Sequence, residues 1–139
     1  MPYRFLEHSA DIKIQARGKN FLAALKQLFL AYREFITSKK NFRIKKDSLK
    51  KILIKEKGEN KEELVFNFFV ALIAESDIRK QTPLYLDIKR YKKNPYLIVA
   101  EVYLTDKIKQ KDQLKAVTYH ELEVKREKEW TTITIIFDV

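Results

Sequence analysis

Cysteine is absent from this sequence, which excludes disulfides and thiolate-bound metals. Its two histidines, His8 and His120, are too few for a dedicated zinc site. Its two glycines, Gly18 and Gly58, stand far apart. Gly-rich phosphate loops of the G-x-G-x-x-G or P-loop type are therefore excluded, and most nucleotide-binding enzyme classes with them. No apolar run approaches the roughly 20 residues that span a bilayer, so no membrane association is expected. The first residues, Met1 to Glu7, hold no basic region followed by an apolar stretch. No signal peptide is expected, and the cytoplasm is the expected location. Internal repeats, low-complexity tracts and linkers are not visible.

What is present fits one domain covering residues 1–139. Hydrophobic residues make up 45% and aromatics 12%, enough for a substantial core. The net charge of +10 favours an acidic partner, with nucleic acid the first candidate. A lysine-rich surface with no such role accounts for the charge equally well.

Periodicity gives the elements. Tyr3 to Leu6 reads as a short strand. From Asp11 to Arg17, Ile12, Ile14 and Ala16 alternate with Asp11, Lys13 and Gln15, the period of a half-buried strand. Gly18 is expected to turn the chain, and Asn20 to cap a helix. Phe21, Leu25, Leu28, Tyr32 and Phe35 fall at helical spacing and predict an amphipathic helix ending near Thr37. Leu49 to Lys57 reads as a strand. Asn60 and Glu63 form a capping-box-like start to a second helix with Leu64, Val65, Phe68, Phe69, Leu72 and Ile73 inward, stopping near Asp77.

The remainder is strand-rich. Leu84 to Tyr91 and Tyr96 to Leu104 flank a turn at Lys93-Asn94-Pro95 and predict a hairpin. Leu114 to Lys125 and Trp130 to Asp138 flank another turn, at Arg126 to Glu129. The predicted order is β-β-α-β-α-β-β-β-β: an α+β domain with two helices on a mainly antiparallel sheet. One sheet or two remains open at this point.

Three constellations are candidates for function. Asp11 opens the second strand and Asp138 closes the last, beside the α-carboxylate of Val139. Chain ends often lie close together. If these do, three carboxylates converge, and such a cluster calls for a compensating cation. Hard oxygen donors suit calcium or magnesium. Equally, both aspartates fit simple solvated strand ends. Secondly, His8-Ser9 with His120 or Asp11 allows a hydrolase reading, but no nucleophile-elbow context surrounds Ser9. Thirdly, Lys39 to Lys57 holds nine lysines and arginines against Asp47 and Glu56. It offers phosphate contacts without aromatic platforms, so RNA binding there would be salt-sensitive and weakly sequence-specific. The alternative is a solvated, aggregation-deterring edge.

Three segments in order resemble the archease family: Phe5-Leu6-Glu7-His8-Ser9-Ala10-Asp11-Ile12-Lys13-Ile14, Lys115-Ala116-Val117-Thr118-Tyr119-His120-Glu121-Leu122-Glu123-Val124, and the final Ile136-Phe137-Asp138-Val139. The first is similar to the family's H-[ST]-A-D-[IV] signature, the second to its K-A-[VI]-T-Y-H segment. The resemblance implies a non-enzymatic activator of RtcB-type RNA ligases in tRNA splicing and RNA repair, promoting ligase guanylylation and turnover. Contact with tRNA or other RNA would be indirect. It also implies a divalent-cation site, calcium first with magnesium or manganese possible, at Asp11, Asp138 and the carboxylate of Val139. Many family members are acidic, whereas this chain is basic.

Overall fold

The computed structural model describes residues 2–6 and 11–139. Seven strands and two long helices occur among them: β1 (Tyr3–Leu6), β2 (Asp11–Gly18), α1 (Phe21–Thr37), β3 (Lys50–Gly58), α2 (Lys61–Arg79), β4 (Thr82–Lys92), β5 (Tyr96–Thr105), β6 (Ala116–Glu127) and β7 (Trp130–Asp138). A single 3-10 turn, Lys46–Ser48, precedes β3. The predicted order and α+β class hold. The open question of sheet number is resolved as two, both antiparallel: β1-β2-β7-β6 and β3-β5-β4. No described helix is long and apolar enough to cross a membrane.

The alternation in β2 decides which side of the larger sheet is buried. Ile14 pairs with Ile135 and Ala16 with Ile133 across β7, and all four are closed to solvent. Helix α1 packs on β2 and β7, while α2 packs on β3 and β6. The helices and the larger sheet meet at Tyr32, Phe69 and Phe137. Ring centroids lie 5.8 Å apart for Tyr32–Phe69, 5.5 Å for Phe69–Phe137 and 6.2 Å for Tyr32–Phe137. Such tilted and edge-on contacts add to the burial of apolar area that drives folding.

Both helices start by one local device. Asn20 is extended, and its side-chain oxygen accepts the amide of Ala23 at 2.8 Å. Asn60 does the same for Glu63 at 2.8 Å. Each cap satisfies one of the amides that a helix start leaves unpaired. Glu63 completes its half of a capping box by accepting the amide of Glu59 at 3.3 Å. Two residues before each cap stands a glycine. Neither glycine has positive φ; each is needed because the strand end abuts the helix. A Cβ on Gly18 would lie 2.6 Å from the backbone of Ala23 and Ala24, and one on Gly58 2.5 Å from the Leu64 nitrogen. The chain thus uses one Gly-x-Asn junction twice. Three shared residues are too few to register as a sequence repeat.

Element ends differ slightly from expectation. Helix α2 continues past Asp77 to Arg79, where Arg79 and Glu75 pair at 3.3 Å one turn apart. Strand β6 begins at Ala116 rather than Leu114, and it is not regular. Its register with β7 is interrupted between Thr118 and Glu123, and Glu121 adopts φ 63°.

Candidate functional site

The β2–β7 pairing sets Asp11 directly opposite Asp138, and β6 sets Ala116 opposite Asp138 on the other side. Opposed residues in an antiparallel pair have Cα atoms about 4.5–5.5 Å apart, with side chains on a common face. That face is the outer one, because the neighbouring Ile12–Phe137 pair turns toward the core. Both aspartates are half-buried. The Thr118 hydroxyl donates to Asp138 Oδ1 at 3.1 Å, and the Lys115 amide donates to the Asp138 carbonyl at 2.9 Å, so β7 is held on both edges to its end. Two like charges directly opposite disfavour the pairing unless offset.

One step along the face, Lys13 opposes Ile136, and its Nζ lies 3.6 Å from the Glu121 carboxylate. Sequence periodicity gave no hint of Glu121, since β6 read as continuous. A non-glycine residue in the left-handed region costs about 1 kcal/mol or more. Contacts that hold the irregular stretch in place include the Lys13–Glu121 pair and the edge-on packing of Tyr119 against Phe66 of α2 at 5.4 Å. The signal that could have marked this segment was the K-A-V-T-Y-H motif itself, which spans the start of the register break.

The oxygen donors at this end of the sheet suit a hard cation. Asp11 and Asp138 supply side-chain carboxylates from adjacent strands, and Val139, which follows directly, is exposed. Among the described residues no three His, Cys, Asp or Glu side chains converge on one point. A third protein ligand would therefore be an oxygen of another kind, such as a main-chain carboxylate at Val139, a carbonyl or a hydroxyl, or lie outside the described residues.

His8 and Ser9 lie outside the described residues. The His120 side chain is 82% exposed and lies 3.7 Å from the Glu121 carboxylate. A general base needs fixed orientation toward its nucleophile, and an imidazole in bulk solvent lacks it.

The basic stretch is strapped down rather than free. Arg33 is buried, donating to the carbonyls of Leu84 at 2.9 Å and Lys40 at 2.7 Å and stacking over Phe42 at 4.9 Å. Burial pulls its pKa down. The Tyr85 hydroxyl donates to the Ile44 carbonyl. Lys46 forms a 2.9 Å pair with Asp87 and lies over the Tyr103 ring. That hydrogen bond raises the lysine's pKa and lowers the aspartate's. Lys51 and Lys89 both reach Glu101, at 3.2 and 3.4 Å. The stretch therefore crosses the outer face of the smaller sheet with Lys46 and Lys51 already paired and Phe42 covered.

A family model for the Archease protein family matches residues 3–139. The chain belongs to the archease family. Archease-family relatives include "Protein archease" of Sulfurisphaera tokodaii, 25% identical over 99% of this chain and 98% of the relative. "Protein archease" of Pyrococcus abyssi is 26% identical over 86% and 85%. Among solved structures, protein 1598 of Methanobacterium thermoautotrophicum matches with a TM-score of 0.74 at 17% identity, covering 99% of both chains. An archease from Thermotoga maritima, described as a possible chaperone, matches with a TM-score of 0.62 at 21% identity over 96% and 94%. At these identities the two structures support the archease fold alone.

Proposed function

We propose that this archease-family chain is a non-enzymatic, cation-dependent activator of an RtcB-type RNA ligase, promoting ligase guanylylation and turnover in tRNA splicing or RNA repair. The observation that carries the reading is the register pair Asp11–Asp138 at the end of the larger sheet, with Val139 beside it. Family membership supports the same reading. The site would hold the cation through the Asp11 and Asp138 carboxylates and the α-carboxylate of Val139, calcium best, with magnesium or manganese as substitutes. A bound cation would supply positive charge where two carboxylates are forced together. The protein's part is to fix the donors: β7 is central in its sheet, so Asp138 is held by hydrogen bonds on both flanks. The Thr118 hydroxyl orients one of its oxygens.

Mixing this chain with a partner ligase, GTP and a divalent cation should accelerate guanylylation and convert single turnover into multiple turnover. An unchanged rate with folded protein refutes the activator role. The cation claim has its own measurement. At a hundred times its dissociation constant, calcium should stabilise the wild type by about 2.7 kcal/mol, several degrees in the unfolding midpoint. Asp11→Asn and Asp138→Asn should lose that shift, and a C-terminal extension, which turns the Val139 carboxylate into an amide, should reduce it. An equal shift in both aspartate variants refutes the site.

RNA binding through residues 39–57 is the competing reading. It requires charge reversal there to abolish function while Asp11→Asn leaves function intact. The pairing of Lys46 and Lys51 with acidic side chains weighs against it.

A further inference from the structure

A second site lies where the two helices begin. A cavity of about 500 Å³ opens there, lined by Lys19, Lys61, Lys93 and Arg126 around the aromatic floor of Phe21 and Tyr91. None of its lining residues is acidic. Six cations elsewhere on the surface, Lys13, Lys46, Lys51, Lys89, Arg79 and Lys125, have carboxylates within 4 Å. Among the described residues the four cavity cations form no ion pair. Like charges gathered around one concavity repel one another, and an anion between them removes that cost.

Further features converge on the same space. Phe21 and Leu22, the first residues of α1, line the cavity, and their amides come before the one that Asn20 caps. The first turn of α1 contains no acidic residue, so the positive end of the helix dipole is not offset by its own side chains. Lys61, the first residue of α2, reaches over the Phe21 ring at 5.8 Å. The Tyr91 hydroxyl, at the floor, is closed to solvent and has no hydrogen-bond partner among the described residues. Arg126 is positioned rather than loose: its guanidinium donates to the Lys19 carbonyl and, at 3.1 Å, to the Thr131 hydroxyl. This second bond holds the arginine at the cavity wall.

We infer that this cavity is a binding site for a phosphoryl group. Ammonium, guanidinium and helix-start amides are the groups that recognise phosphate oxygens. The opening admits either a free polyphosphate or one stretch of an RNA backbone, and the chemistry at the cations is the same for both. The site is separate from the Asp11–Asp138 pair: Thr131 of its wall is the second residue of β7, whereas Asp138 closes that strand.

The test uses the full chain with two probes, inorganic pyrophosphate and a single-stranded RNA oligonucleotide, followed by amide NMR and calorimetry. Each named variant replaces two lysines, so the charge change is matched. The doubly substituted Lys61→Ala/Lys93→Ala protein removes two cavity cations whose side chains make no hydrogen bond among the described residues. The control, Lys55→Ala/Lys57→Ala, removes two exposed lysines of β3. Saturable binding of either probe should shift the Phe21 and Leu22 amides. It should weaken by at least about tenfold in the cavity variant, the scale of one charge-assisted hydrogen bond, and little in the control. Unfolding midpoints establish that both variants are folded. Pyrophosphate binding without RNA binding assigns a free ligand. RNA binding that pyrophosphate only weakly displaces assigns a nucleic-acid backbone, and its affinity should fall steeply with salt. Absence of saturable binding by both probes, or equal weakening in cavity and control variants, overturns the proposal.

Discussion

The two strand-to-helix junctions of this chain are built alike and surrounded differently. Gly18-Lys19-Asn20 leads into α1 and Gly58-Glu59-Asn60 into α2. In both, a glycine lets the strand end touch the helix, and an asparagine caps it. After the caps they diverge. Helix α2 opens with Glu62 and Glu63, and both carboxylates are used: Glu63 accepts the Glu59 amide, and Glu62 accepts the Val124 amide of β6 at 3.1 Å. Helix α1 opens with Phe21, Leu22 and Ala23, and cations gather around it. Geometry common to both junctions therefore serves folding. The charge difference is independent of that geometry, which is why the α1 end is the candidate anion site.

The sharpest way to break this comparison is to fill the glycines. Gly58→Ala and Gly18→Ala each force a Cβ to within 2.5–2.6 Å of backbone atoms, and backbone cannot swing aside as a side chain can. Each should destabilise by about 1–3 kcal/mol or more, read from denaturant midpoints at constant m-value. If one variant is neutral, the junctions are not equivalent.

Next come the caps. Asn20→Ala should cost about 1 kcal/mol. Asn60→Ala should cost less, because Glu62 and Glu63 still offset the helix dipole at α2. Equal losses, measured by chemical denaturation, would show that these carboxylates contribute nothing there.

The smallest effect concerns alkaline pH. Helix α1 has an extra tie to β1, since the Tyr3 hydroxyl donates to the Glu34 carboxylate. Burial, and then that carboxylate, push the Tyr3 pKa up from 10.0 to about 12. A folded pKa above the unfolded one means the contribution is whole below about pH 10 and lost as pH rises toward 12. Tyr3→Phe should flatten the fall of stability across pH 10–12. An unchanged pH profile would remove Tyr3 from the account.

Much of the fold was legible because burial is one-sided. The alternation of Ile12, Ile14 and Ala16, and the helical spacing of Phe21, Leu25, Leu28 and Tyr32, each describe one apolar face, and the caps at Asn20 and Asn60 are local chemistry. Sheet partition was not legible. Nothing local to β3 states that it will pair with β5 rather than join β7. Glu121 was hidden for a related reason: a register break depends on what the partner strand offers, and β6 alone reads as an ordinary strand.

The candidate sites divide the same way. Asp11, Asp138 and Val139 could be named from their places in the chain and from the archease-like motifs. Their opposition across β2 and β7 is a matter of register, set by pairing residues more than a hundred positions apart. The basic cavity goes further in that direction, since its cations come from four separate segments and no single segment marks them. By itself the sequence determined the periodic elements, their caps and turns, and the residue types at the chain ends, because these depend on neighbours within a few positions. Only the tertiary structure decided which charges meet, because electrostatic partnership depends on distance through space.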